Sequence, residues 1–140
     1  MTERLLQYIW QFQYFHSGEL RTAGGEEIQI LHPGQLNTNQ GPDFLDARIK
    51  IGTNTWAGTV ELHVRHSDWT KHRHDTDKNY RNVVLHVVWE DDRDILLTEH
   101  PQIPVLELKS RVPKILLNRY SALMESPPFI PCGALTGTVK

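Results

Sequence analysis

Apolar side chains recur at helical spacing in two parts of the chain, one near each end. The first stripe predicts a helix over residues 3–16, with Thr2 as its N-cap and Gly18 ending it. The second predicts a helix from Pro113 to about Met124. The residues that form these stripes are Leu5, Tyr8, Ile9, Phe12 and Phe15 in the first, and Leu116, Tyr120 and Leu123 in the second.

Between the helices, alternating or continuous apolar runs predict β-strands. Gly52-Thr53-Asn54 predicts a tight hairpin, residues 35–42 a polar loop, and residues 66–81 a loop or a short helix. The order of elements predicts an α/β (α+β) fold, in which a mixed β-sheet of about five to six strands is flanked by an N-terminal and a C-terminal helix. The predicted strands are 28–31, 44–51, 55–65, 82–89, 95–98 and 105–109.

Composition and length narrow the class of protein. The 140 residues predict a single domain over 1–125, followed by a Pro-rich tail or linker at 126–140. Cys132 is the only cysteine, which rules out an internal disulfide and favours a reducing, cytoplasmic location. The N-terminal apolar run is interrupted by glutamines, so it predicts neither a signal peptide nor a membrane span. A net charge of −2 excludes a wholly basic surface but leaves room for a local basic groove.

The most informative pattern for chemistry is Pro42-Asp43, followed on the next predicted strand by Glu61-Leu62-His63. It resembles the acid and Glu-x-Lys motifs of the PD-(D/E)xK nuclease superfamily, whose core is αβββαβ. The resemblance implies that Asp43 and Glu61 hold Mg²⁺ or Mn²⁺, with His63 in the place of the lysine. Two carboxylates are suitable ligands for such ions, and a neighbouring base can act on water.

The position of Asp43 does not fit the alternation of a regular strand. Strict alternation from residue 44 groups Asp43 with Leu45 and Ala47, so a bulge or a strand end is needed to turn it towards Glu61, and Asp46 is a fallback first acid. A purely structural interpretation has Asp43 capping a turn. In that interpretation Glu61 pairs across the hairpin with Arg48 or Lys50.

Histidines are dense between residues 63 and 86, and they allow a second interpretation. A transition-metal site, with Zn²⁺ as the alternative ion, would use His63, His74 and His86. The plainer alternative has His66, His72 and His74 on a solvated loop, with His86 as a hydrogen-bonded core residue.

The same segment is locally basic and contains aromatic residues. Arg65, Lys71 and Arg73 are the candidate contacts to nucleic-acid phosphates, with Trp69 and Tyr80 interleaved among the basic residues. The alternative is a solvated loop that its aromatic residues anchor to the sheet and that has no role in binding.

Five stretches taken together resemble an uncharacterised family, found mainly in Bacteroidetes and known as domain of unknown function 2851. They are LLQYIW at 5–10, LNTNQGPDF at 36–44, WAGTVELH at 56–63, SDW at 67–69 and NVVLHVV at 82–88. The resemblance covers about residues 3–133. Members are typically longer, which implies that this chain is the N-terminal region of such a protein. The family carries no established activity.

We therefore expect a metal-dependent phosphodiesterase or nuclease-like domain that acts on nucleic acid and uses Mg²⁺ or Mn²⁺. Asp43, Glu61 and His63 are its expected catalytic residues. The first alternative is a non-catalytic module that binds nucleic acid or a protein partner. The second is a transition-metal-binding domain built on the histidine cluster.

Overall fold

The computed structural model describes residues 1–39, 41–71, 82–93 and 103–125. Three α-helices and six β-strands lie in these ranges, together with a 3₁₀ turn at Lys109–Arg111. The helices are α1 (Glu3–Gln11), α2 (Ser67–Lys71) and α3 (Lys114–Glu125). The strands are β1 (Ile28–His32), β2 (Gln35–Leu36), β3 (Phe44–Ile51), β4 (Asn54–Arg65), β5 (Val83–Glu90) and β6 (Val105–Glu107).

The strands form one mixed sheet in the order β1-β3-β4-β5-β6, with the short β2 also paired to β3. β1, β3 and β4 are antiparallel neighbours, whereas β4, β5 and β6 run parallel. β4 is the longest strand and lies at the centre of the sheet. Its partner β5 is buried at six of eight positions, as expected for a parallel strand covered on both faces.

A bulge interrupts the pairing of β3 with β4. Phe44 pairs with Val60 but Ala47 pairs with Gly58, so β3 contains one extra residue between these two pairs. Asp46 within the bulge has a φ of 59°, a left-handed conformation that aspartate tolerates better than most residues. Because of the extra residue, Phe44 and Ala47 are both completely buried although they lie three positions apart.

Helix α1 covers the sheet with an apolar stripe of fully buried side chains: Leu5, Leu6, Ile9 and Trp10. Its N-terminus is capped by the Thr2 hydroxyl, which accepts a hydrogen bond from the Leu5 amide at 3.1 Å. The Trp10 indole is 0 % exposed, and its Nε1 donates to the Pro33 carbonyl at 3.0 Å. This one side chain therefore both fills the core and fixes the segment that follows β1.

The C-terminal part of the described chain packs against this N-terminal part. Tyr120 of α3 contacts Tyr8 and Tyr14, at ring-centroid distances of 5.7 and 5.3 Å. The Arg111 guanidinium donates to the carbonyls of His16, Gly18 and Glu19 at 2.9 to 3.0 Å. The loop after α1 is thus held by a residue about ninety positions further along the chain.

The predicted fold class is confirmed as a mixed α+β fold with five to six strands and a helix near each end of the described chain. The first helix is shorter than predicted, because the chain turns at Gln13, which has a φ of 56°. Phe15 is buried from the following loop, so the apolar period continues past the helix end. The predicted polar loop at 35–42 was wrong at its start, where β2 forms.

Two predicted features involve residues beyond the described ranges. The strand at 95–98 and the tail at 126–140 both lie outside them, and the division at residue 125 stays a prediction. Among the described helices, none is long and apolar enough to cross a membrane.

Candidate functional site

The bulge in β3 positions Asp43 beside Glu61. Phe44 pairs with Val60, so the position across from Asp43, which immediately precedes β3, is Glu61 on β4. Phe44 and Val60 are both completely buried in the apolar core, and by alternation Glu61 points to the opposite face of β4 from Val60. Without the extra residue, the register set by the rest of the hairpin would put these two acids out of line.

The Asp43 carboxylate is held from two sides. Oδ1 accepts a hydrogen bond from Gln7 Nε2 of α1 at 2.7 Å, and Oδ2 accepts one from the Leu62 backbone amide at 2.8 Å. The Asp43 amide in turn donates to Glu61 Oε1 at 3.3 Å. A helix and two strands therefore fix the position of this carboxylate.

Glu61 is a carboxyl group in the interior of the protein, with only 2 % of the residue exposed. Burial, a hydrogen bond to the Asp43 side chain and the charge of Asp43 raise the pKa of Glu61 from 4.5 to about 10. At neutral pH Glu61 therefore keeps its proton. Pairs of carboxyl groups this close are found in catalytic dyads and in metal sites.

A buried histidine pair lies further along the same face. His63 Nδ1 and His86 Nε2 are 2.8 Å apart, and the two residues are 1 % and 2 % exposed. One ring nitrogen donates and the other accepts, so the bond couples the tautomers of the two rings. Trp69 of α2 lies against both rings, with centroids 5.8 Å from His63 and 4.8 Å from His86.

Polar side chains border the histidine pair where β4 and β5 end. The ring of His66 lies 4.9 Å from that of His86, and burial together with the charge of Arg93 lowers the pKa of His66. Arg93 makes an ion pair with Asp91 at 2.7 Å. Asp92 accepts hydrogen bonds from the amide and hydroxyl of Ser67 at 3.0 and 2.7 Å, which fixes the start of α2. The lowered pKa of His66 favours its neutral form at neutral pH.

The sequence of the chain matches the family described as "Protein of unknown function (DUF2851)" over residues 3–140. The chain belongs to this family. No curated protein and no solved structure matches it.

Membership of DUF2851 confirms the resemblance found in the sequence, and the match extends somewhat beyond the predicted end at about residue 133. The family's description assigns no activity. Arguments about function for this DUF2851 chain therefore rest on the chemistry of its own side chains.

Several of the predicted site residues lie together in the structure. Asp43 and Glu61 are in direct contact, and His63 follows Glu61 on the same face of β4. His63 and His86 meet, as the histidine interpretation expected, but through a hydrogen bond to each other. Among the described residues, no group of three or more His, Cys, Asp or Glu side chains is arranged to hold a metal ion. His74 and Arg73 lie outside the described residues, as does the Lys71 side chain.

The strand register does not bring Glu61 opposite the basic residues that the purely structural interpretation expected. Arg48 pairs with Ala57 and Lys50 with Thr55, so neither lies across from Glu61. The Asp43 side chain accepts hydrogen bonds from the Gln7 side chain and the Leu62 amide. Glu61 and His63 are both buried, although they are polar residues on a strand. The side chain of Asp46, the fallback acid, is exposed, and that of Arg65 is exposed at the end of β4.

Gln7 is the site residue that the sequence did not predict. It is a polar residue between the buried Leu6 and Ile9, and its amide reaches Asp43. A glutamine among the apolar positions of the predicted helix is the signal that the sequence offered. The contact with Asp43 depends on how α1 lies across β3 and β4, and no local pattern encodes that placement.

The raised pKa of Glu61 predicts a pH-dependent stability. Above pH 4.5 the unfolded chain releases this proton, whereas the folded chain keeps it until about pH 10. The unfolded state then binds fewer protons, so the free energy of unfolding falls as pH rises between these values, by at most about 1.4 kcal/mol per pH unit. Urea unfolding in EDTA at pH 5.5, 7 and 8.5 measures this slope in wild type and in Glu61→Gln.

Other groups titrate alike in the two proteins, so the difference between their slopes isolates residue 61. We expect the Glu61→Gln curve to be the flatter one, because glutamine has no proton to release. Parallel curves would mean that Glu61 is ionised in the folded protein at neutral pH.

Proposed function

We propose that this chain carries a phosphodiesterase site of the nuclease type that depends on a divalent metal ion, with Asp43 and Glu61 as the metal ligands. The observation that carries the proposal is the direct contact between Asp43 and Glu61: the Asp43 amide donates to Glu61 Oε1 at 3.3 Å, and the neighbouring Asp43 side chain contributes to the raised pKa of Glu61. A buried acid pair that retains a proton is a costly arrangement. Exchange of that proton for Mg²⁺ or Mn²⁺ would compensate both carboxylates.

The donor chemistry of the pair fits such an ion. Mg²⁺ and Mn²⁺ prefer hard oxygen ligands, and Mg²⁺ is commonly held by one or two carboxylates, with water and substrate phosphate completing its shell. Gln7 and the Leu62 amide orient Asp43, as partners behind metal ligands usually do. When bound, the ion would stabilise negative charge on a phosphate and lower the pKa of water.

The order of elements also supports the proposal. Apart from the two-residue β2, the chain runs from α1 through β1, β3 and β4 to α2 and β5, with β5 parallel to β4. This is the αβββαβ order implied by the resemblance to PD-(D/E)xK nucleases. Asp43 precedes the second strand of that core and Glu61 lies in the third, which are the places of the two acids in the motif.

The remaining residues are assigned by their positions around the pair. His63 occupies the place of the motif lysine. Because its Nδ1 is hydrogen-bonded to His86, Nε2 is the ring nitrogen that would accept the proton of the attacking water. Trp69 packs against both rings and shields them from bulk solvent. Arg65, exposed at the end of the same strand, is assigned to a substrate phosphate, together with Lys71 and Arg73.

Titration of Mn²⁺ into metal-stripped protein, followed by calorimetry, tests the metal site directly. We expect wild type to bind Mn²⁺, and Asp43→Asn and Glu61→Gln each to weaken the binding by at least about tenfold, because each removes a charged oxygen ligand. Asp46→Asn is the matched control. It removes an exposed carboxylate from the same bulge, and asparagine tolerates the left-handed backbone there.

Unchanged Mn²⁺ affinity in both site variants would contradict the proposal, as would no binding by wild type. A loss of affinity in Asp46→Asn alone would move the site to the fallback acid. Tight binding of Zn²⁺ that is insensitive to Asp43→Asn but abolished by His63→Ala would favour the histidine alternative.

A further inference from the structure

The face of β4 that carries Glu61 continues towards the hairpin that joins β3 to β4. Side chains alternate along β4, so Ala57 and Thr55, four and six positions before Glu61, point to this same face. Arg48 of β3 is the cross-strand partner of Ala57. Lys50 is the partner of Thr55. Because opposed residues in an antiparallel pair point to one face, the two cations share the face of Glu61.

We call the surface formed by Arg48, Lys50, Thr55 and Ala57 the hairpin face, and it is open to solvent. All four residues are exposed, whereas the residues of β3 that point to the other face are buried. Alanine and threonine are short, so the charged ends of the two longer side chains are accessible to a ligand that lies on this face.

The two cations have no counter-ion in the described part of the chain. Neither Arg48 nor Lys50 takes part in an ion pair or a side-chain hydrogen bond there. Glu27, next to β1, is paired with Arg21 at 4.0 Å. The strand β3 carries two cations and one carboxylate, that of Asp46 in the bulge, which gives it a net charge of +1. The hairpin face is therefore a surface that attracts anions.

Polar groups of β1 lie beside the two cations. Gln29 pairs with Lys50, and His32 pairs with Arg48. The Nδ1 atom of His32 accepts a hydrogen bond from the Gly34 amide at 3.0 Å, which leaves the ring proton on Nε2. A side-chain amide and a ring N–H thus extend the hairpin face towards the edge of the sheet, and both can donate to phosphate oxygens.

The spacing of the charges fits a ligand that carries a row of anions. Arg48 and Lys50 are two positions apart on one strand, which corresponds to about 7 Å. Ala57, opposite Arg48, is about 13 Å along β4 from Glu61. A helical nucleic-acid strand advances about 3.4 Å per nucleotide, so these distances correspond to about two and about four nucleotides. A single small anion is held by donors that converge on one point, whereas these two cations lie in a row.

We propose that the hairpin face holds the phosphate backbone of a nucleic-acid strand, with Arg48 and Lys50 each contacting a phosphate, and guides that strand towards Asp43 and Glu61. The inference rests on the proposed function for the class of its ligand. Contacts to phosphates supply affinity and position but do not read the sequence. Binding that is insensitive to sequence and sensitive to salt is the expected signature.

The affinity for labelled oligonucleotides tests the two contacts. Fluorescence anisotropy is measured with metal-stripped protein in EDTA and with fluorescein-labelled oligo(dT) and oligo(dA) of about 15 nucleotides. We expect Arg48→Ala/Lys50→Ala to raise the dissociation constant at least about tenfold for both sequences. The slope of the logarithm of affinity against that of salt concentration should fall in magnitude by about 1.4, about 0.7 for each lost contact to a single strand.

Lys114→Ala/Arg119→Ala is the matched control, because it removes the same two charges from exposed positions of α3, a helix that contacts α1. The charge-preserving variant Arg48→Lys/Lys50→Arg should bind like wild type. Equal losses in the hairpin and control variants would reduce the effect to net charge and overturn the inference. A loss in the charge-preserving variant as large as in the alanine variant would also overturn it, as would an unchanged affinity or salt slope in Arg48→Ala/Lys50→Ala.

A membrane surface is the other extended anionic ligand to be tested. Vesicles of phosphatidylcholine and phosphatidylserine are sedimented with wild type and with Arg48→Ala/Lys50→Ala. Sedimentation that depends on these two residues, without binding of oligonucleotides, would overturn the inference in favour of a membrane surface. Binding of neither ligand by wild type would overturn it as well.

The metal titration separates this inference from the proposed function. Arg48→Ala/Lys50→Ala leaves Asp43 and Glu61 in place and is expected to bind Mn²⁺ like wild type. Oligonucleotide binding that depends on the two cations supports the hairpin face even if no Mn²⁺ binds. Normal Mn²⁺ binding, with oligonucleotide binding that does not depend on them, overturns the hairpin face and leaves the acid pair standing.

Discussion

Glu61→Gln is expected to lower kcat/KM for Mn²⁺-dependent cleavage of a single-stranded oligonucleotide by at least about 10³-fold, equivalent to about 4 kcal/mol of transition-state stabilisation. Glutamine has the shape of the protonated glutamic acid that is buried in the free protein, with a pKa of about 10. The variant should therefore fold normally while lacking the second negative charge that holds the ion.

Cleavage of a 5′-labelled oligonucleotide, resolved by gel electrophoresis with and without EDTA, measures this effect. Asp46→Asn should retain the wild-type rate, since Asp46 is exposed on the bulge. Asp43→Asn should fall to the same level as Glu61→Gln, because the two residues form one ligand set. Residual cleavage in Glu61→Gln above about a tenth of the wild-type rate would remove this residue from the reaction.

Trp10→Ala is expected to lower the free energy of unfolding by roughly 3–5 kcal/mol, the usual range for removing a large aromatic residue from a core. Trp10 is completely buried between α1 and the sheet. The substitution also removes the indole donor from the Pro33 carbonyl, an additional cost if that oxygen stays buried.

Urea denaturation followed by circular dichroism measures the change. Trp56→Ala is the matched control, because it deletes the same side chain from a position that is 50 % exposed, and we expect a loss below about 1 kcal/mol. Trp10→Phe keeps most of the buried ring but not the donor, so it should fall between the two. A loss below about 1.5 kcal/mol for Trp10→Ala would mean that α1 contributes little to the core.

Local patterns predicted most of the secondary structure. The spacing of Leu5 and Ile9 indicated α1, and the continuous apolar run at 82–89 indicated β5. The end of α1 was not predicted, because Phe15 is buried from a loop and extends the apolar period. A buried loop residue that happens to lie at helical spacing from the helix, such as Phe15, cannot be distinguished from a helical residue by the sequence pattern.

The candidate site was predicted in its residues but not in its geometry. Alternation alone separates Asp43 from the charged face of its strand, and only the extra residue near Asp46 aligns it with Glu61. An aspartate that could adopt a left-handed conformation occurs in many turns and loops, so its presence in the sequence does not indicate a bulge. The contact of Gln7 with Asp43 depends on the docking of a helix, which is a property of the assembled fold.

The three hydrogen bonds of Arg111 have a consequence for how the protein opens. They attach the turn before α3 to the loop after α1, while Tyr120 packs on Tyr8. Helix α1 also carries Gln7, which orients Asp43. We therefore expect local fraying at α3 to loosen α1 and to disturb the acid pair, so that the two helices and the candidate site open together.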